Sequence, residues 1–152
     1  MERKESIVAG AAIALVLYTL SLSVLGPTVL AALRNQTISN VGSVQTIGVG
    51  VYSDPACANP VTSINWGTLE PGTNVNKTVY IRNEGNTAAT LSMTTSNWNP
   101  SSASSYMTLS WNYGGQTLAV NEVKQVKFTL AVSSSITGIT SFSFDITIAA
   151  NG

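Results

Sequence analysis

The stretch Phe142-Ser143-Phe144-Asp145-Ile146-Thr147-Ile148 decides the fold. Phe142, Phe144, Ile146 and Ile148 alternate with Ser143, Asp145 and Thr147. Successive side chains of a strand point to opposite faces, so this period of two makes one face apolar and the other polar. An antiparallel sheet buried on one side has that pattern. The same period recurs upstream. Val126, Phe128, Leu130 and Val132 keep it, as do Met107, Leu109 and Trp111, then Leu91 and Met93. Val75, Lys77, Val79 and Ile81 keep it in a further run, and Ile47, Val49 and Val51 in another. Residues 61–66 add a short strand candidate.

Turn chemistry separates the runs. Pro71-Gly72, Asn83-Glu84-Gly85-Asn86, Asn121-Glu122 and Thr137-Gly138 each reverse or break the chain. Tyr113-Gly114-Gly115-Gln116 reads as a tight hairpin between Trp111 and Leu118. Short strands at this spacing predict an all-β fold, an immunoglobulin-like antiparallel β-sandwich of about seven strands. The expected core is Phe128, Phe142, Phe144, Ile146, Leu91, Leu109, Val79 and Ile81. Trp66 and Trp111 read as packing residues, whereas Trp98 lies in the loop-like Ser96-Asn97-Trp98-Asn99-Pro100.

The chain has 152 residues, and its N-terminus differs from the rest. Residues 7–33 contain no charge and exceed the roughly 20 apolar residues that cross a bilayer core. Pro27 kinks or ends the first helical segment. The expected division is an N-terminal membrane anchor or signal segment (1–33), a linker or donor-like strand (34–43) and the sandwich ectodomain (44–152). One transmembrane-type helix would thus precede the sandwich. Three processing routes stay open. The helix is retained as an anchor, or cleaved near Ala31 or Ala32 as a signal peptide, or trimmed near Ser6 to a pilin-like stem. The apolar run is longer than the roughly 7–15 residues of most signal-peptide cores. In each route Arg3 and Lys4 stay inside and the C-terminal domain ends outside. The expected locations are therefore the cell membrane with an extracellular domain, or the secreted cell surface. Residues 7–33 would contact membrane lipid.

Composition limits the chemistry. Seven basic and seven acidic residues cancel, which gives no electrostatic reason to bind nucleic acid. There is no histidine, the commonest general base and zinc ligand. No Ser-His-Asp or Cys-His arrangement can be drawn. Asp54, Glu70, Glu84, Glu122 and Asp145 form no local paired motif. No enzyme, cofactor, metal site or small-molecule substrate is expected. Asn35-Gln36-Thr37 and Asn76-Lys77-Thr78 are N-glycosylation acceptor patterns, so Asn35 and Asn76 are candidate glycan sites. Cys57 is the single cysteine and a candidate intermolecular thiol.

Trp66-Gly67-Thr68-Leu69-Glu70-Pro71-Gly72, the strand at 75–83 and the turn Glu84-Gly85-Asn86 follow one another. This order, L-x-P-G and then a strand of the form K-x-V-x-I-x-N-x-G, resembles exported sandwich proteins of the TasA/camelysin group of biofilm fibres. It also resembles the archaeal bundling-pilus group, in which subunits join by donating a strand. The resemblance covers roughly residues 60–95. It implies a non-catalytic surface protein that self-associates as a filament or pilus subunit. Ile47, Val49 and Val51 are the strand-exchange candidates, because they either complete the chain's own sheet or pair with a neighbour's edge. The alternative is a membrane-anchored adhesion or binding module that recognises its partner through loops 53–60 and 96–105.

Overall fold

The computed structural model describes residues 38–152. The apolar segment 7–33, the Asn35 acceptor pattern and residues 34–37 of the linker lie outside the described residues. Eight strands follow in chain order: β1 (Ser39–Ile47), β2 (Val49–Tyr52), β3 (Ser63–Asn65), β4 (Asn74–Asn83), β5 (Thr90–Asn99), β6 (Met107–Trp111), β7 (Val123–Val132) and β8 (Ser141–Asn151). They build an all-β sandwich of two four-stranded sheets, ordered β3-β1-β8-β5 and β2-β4-β7-β6. Antiparallel pairing dominates. The exception is β1, which runs parallel to β8 from Ser39↔Ser141 to Ile47↔Ala149.

The two central strands β7 and β8 show the alternation that their sequences predict. Val126, Phe128, Leu130 and Val132 face Phe142, Phe144, Ile146 and Ile148 across the core, and all eight are buried. Each such side chain contributes about 1.5–3 kcal/mol by leaving water. Leu91, Val79 and Ile81 are buried as well, while Leu109 packs half-buried against the cluster. Aromatic rings fill the β8 side of the core. Trp98 stacks on Phe144 with centroids 4.1 Å apart, and Trp66 lies 6.2 Å from Phe144. Trp111 packs on Phe128 at 6.2 Å.

Three features depart from a strict period-two reading. First, Ile47–Val51 is not one strand. Gly48 has a φ of 70°, a left-handed conformation open to glycine, and the chain changes sheets there. That break yields eight strands where about seven are expected. Gly42 and half-buried Val44 face inward in β1, whereas Val49 and Val51 face inward in β2. Second, Trp98 belongs to β5 rather than to a loop. The β5–β8 register shifts between Ser96 and Asn99, and Asn97 takes a φ of 52°. This bulge adds one residue, so the inward series Leu91, Met93, Thr95 continues at Trp98. Third, residues 113–116 do not close a hairpin on β6. Leu118 instead pairs with Ala89, just before β5. The hydroxyl of Tyr113 explains the different path: it accepts the Leu91 N–H at 3.1 Å and donates to the Gln116 carbonyl.

Among the described residues, Asn83 is the buried polar residue of the core. Its amide donates to the carbonyls of Thr87 (2.8 Å) and Leu118 (3.1 Å) and accepts the Gly85 N–H (3.0 Å). The Asn-x-Gly motif thus ties the β4–β5 turn to the segment that carries Leu118. Every polar atom of that side chain is satisfied, as burial demands.

Candidate functional site

The candidate features are the strand edges, the placement of β1 and loop 53–60; of the other candidate contact loop, 96–105, residues 96–99 belong to β5 and Ser101–Ser105 form a 3-10 helix. A sheet edge presents unpaired backbone groups and is a template for pairing unless it is guarded. The edge of β2 is covered by its own loop. Tyr52 bridges to Pro60, and the Val61 N–H donates to the Val51 carbonyl at 2.8 Å. β3 is an edge of only three residues, and β6 of five. β5 is an edge of ten residues, Thr-Leu-Ser-Met-Thr-Thr-Ser-Asn-Trp-Asn, with no charge.

β1 is the first described strand, and it lies inside its sheet. Its β8 side is paired along its full nine residues. Its other side meets the short β3, Val41↔Asn65 to Ser43↔Ser63, and the Val44 N–H donates to the Thr62 carbonyl at 2.9 Å just before it. Its described side chains, from Val41 on, bury little. Gly42 sits against Trp66, where a Cβ would come within 3.0 Å of the indole nitrogen. Val44 is half-buried, and Val41 and Ile47 are 50% and 61% exposed. The structure therefore separates the strand-exchange candidates. Ile47 ends β1 on the surface, while Val49 and Val51 are buried in β2 and pair with Asn83 and Ile81.

Asn76 is exposed on the outer face of β4, and its amide oxygen accepts the Thr129 hydroxyl at 2.7 Å. Thr78, the hydroxyl residue of that acceptor pattern, lies on the same face two residues on. Cys57 is half-exposed at a φ of 55°, in a loop organised by Asp54. The Asp54 carboxylate accepts the N–H groups of Ala58 (3.1 Å) and Asn59 (2.8 Å) and the Asn59 amide (3.1 Å). These bonds hold its carboxyl below the usual range, the Ala58 N–H foremost. Composition alone did not reveal this Asx-type anchor, although Asp before Pro is a signal for one.

On the outer face of the second sheet, Glu84 accepts the Tyr52 hydroxyl and pairs with Arg82 at 2.6 Å. Both contacts hold the Glu84 carboxyl below its usual range, the Tyr52 bond first, and that bond in turn raises the Tyr52 hydroxyl. Arg82 also lies over the Tyr52 ring, 5.0 Å from its centroid. The trio fastens β2 to β4. Glu122 accepts the Ala119 N–H at 2.8 Å, and Asp145 accepts the Asn97 amide at 2.7 Å. These carboxylates are thus occupied as structural acceptors. Among the described residues, no group of three or more histidine, cysteine or acidic side chains is placed to hold a metal ion.

Compared with known proteins, the chain matches no family model and no curated sequence.

Proposed function

We propose that the protein is a non-catalytic structural protein of the cell surface. Residues 7–33 hold it at the membrane, and its sandwich, immunoglobulin-like in its two-sheet plan, stands outside. Copies assemble into a filament or pilus by exchanging β1. The observation that carries this reading is the placement of β1. It is a nine-residue strand that follows the apolar segment, buries few side chains and is bound mainly through its backbone ladder to β8. Released at Gly48, it gives up that ladder and regains an identical one beside β8 of the next copy. Swapping an identical element costs little at equilibrium, and a head-to-tail arrangement that does not close extends as a filament. The engaged carboxylates and the lack of histidine support a structural role over a catalytic one.

A locked strand tests the proposal. Gln45 and Thr147 are register partners in β1 and β8. In a Cys57→Ser background, the full chain carrying Gln45→Cys and Thr147→Cys, oxidised as a dilute monomer, holds its own β1. It is expected to form no filament, and reduction restores filament assembly. Equal assembly by the locked and reduced chains would overturn strand exchange.

A further inference from the structure

The β5 edge carries a second, different inference. In an antiparallel pair, alternate residues aim their N–H and C=O groups at the partner strand and away from it. The β5 groups that point away from β8 are those of the odd-numbered residues. Ala89, just before the strand, exchanges both its bonds with Leu118 (3.0 and 2.8 Å), and the Leu91 N–H goes to the Tyr113 hydroxyl at 3.1 Å. The parity holds up to the register shift after Ser96. Met93 and Thr95 therefore also present their backbone groups to the open side, and neither makes a backbone bond outside its own sheet among the described residues. The open window is bounded by the Tyr113 cap on one side and the Asn97 bulge on the other. The strand itself carries no charge or proline to guard it.

We infer that this window is a self-pairing site, occupied by the same window of a second copy running antiparallel about a two-fold axis at Thr94. The register follows from the two open residues. Only when Met93 faces Thr95 of the other copy, and Thr95 faces its Met93, are both open positions of both chains used. That pairing makes roughly four backbone hydrogen bonds. It joins two four-stranded sheets edge to edge, β3-β1-β8-β5 against its copy. Such an isologous contact needs no other partner, because the window complements itself. The outer-face side chains that meet there, Ser92, Thr94 and Ser96, are exposed and uncharged, so no like charges oppose each other. The contact uses neither β1 nor its groove, and it stands whether or not β1 is exchanged.

Cysteine cross-linking of the full chain in its membrane, in a Cys57→Ser background, reads the register. Thr94 and its copy form a non-hydrogen-bonded pair with Cα atoms about 4.5 Å apart, within disulfide reach. Ser92 lies opposite Ser96 of the other copy, and two Ser92 residues lie about 13 Å apart. Thr94→Cys is expected to give a covalent dimer, and Ser92→Cys alone none. Ser92→Cys mixed with Ser96→Cys should cross-link again. Equal yields from Thr94→Cys and Ser92→Cys would mean random collision and overturn the inference. So would cross-linking of Thr94→Cys only to other proteins. A charge exchange provides the independent check. Thr94→Lys is expected to weaken self-association by roughly tenfold or more, since it opposes two like charges. An equal mixture with Thr94→Glu should restore it. Unchanged association of both single variants would overturn the site, because this exposed position leaves the monomer's core untouched.

Discussion

Single residues set local structure here through satisfied polar groups and close packing. Asn83→Ala removes the donor shared by the Thr87 and Leu118 carbonyls in a buried place. The expected cost is about 3 kcal/mol, the order for orphaned buried groups, read as a lower midpoint in chemical unfolding. Gly42→Val would push a side chain into the Trp66 indole, which lies where a Cβ would have only 3.0 Å. A loss of roughly 1–3 kcal/mol is expected by the same measurement. Asp54 gives a pH dependence. Its carboxyl is depressed in the folded chain by the Ala58 and Asn59 donors. Its contribution is therefore complete above the ordinary carboxylate pKa of about 4 and is lost as pH falls through the lower folded value. Amide exchange at Ala58 and Asn59 should accelerate on acidification through that window, and Asp54→Asn should flatten the response. The Asn-x-Gly motif was visible in the sequence as turn chemistry. Its burial was not, because a polar residue at the end of a strand gives no sign of the carbonyls that will surround it.

At the scale of elements, β7 and β8 were legible because both are central strands whose alternation runs unbroken. β5 was legible only to Met93. The bulge at Asn97 reverses the parity, so Trp98 looks misplaced until the extra residue is counted. Asn97→Gly should be tolerated, since glycine accepts a positive φ. Asn97→Val should cost about 1–2 kcal/mol and release Trp98 from Phe144, seen as a red-shifted tryptophan emission. The split of β1 from β2 at Gly48 was hidden for a similar reason. Ile47, Val49 and Val51 keep a period of two in sequence, yet a single left-handed residue sends them to different sheets. The parallel pairing of β1 with β8 was also beyond periodicity, which reports the buried face of a strand but not its neighbour or direction.

At the scale of the whole molecule, low charge acquires a specific meaning. Only 9% of the residues are charged, and β5 has none. Solubility then rests on Ser, Thr and Asn, and edges go without the lysines that usually prevent strand addition. Two modes of strand pairing are proposed. One exchanges β1 along an axis, and the other joins β5 edges across a two-fold. Together they would extend and cross-connect assemblies of one chain. β1 exchange is the central claim, and one measurement addresses it most directly. Two full-length chains are mixed in a Cys57→Ser background, one carrying only Gln45→Cys and the other only Thr147→Cys. They are assembled and then oxidised. The register of β1 on β8 places these two positions side by side. Exchange predicts a disulfide between the two different chains, absent when either chain is oxidised alone. Assemblies that form fully without that mixed disulfide would contradict it.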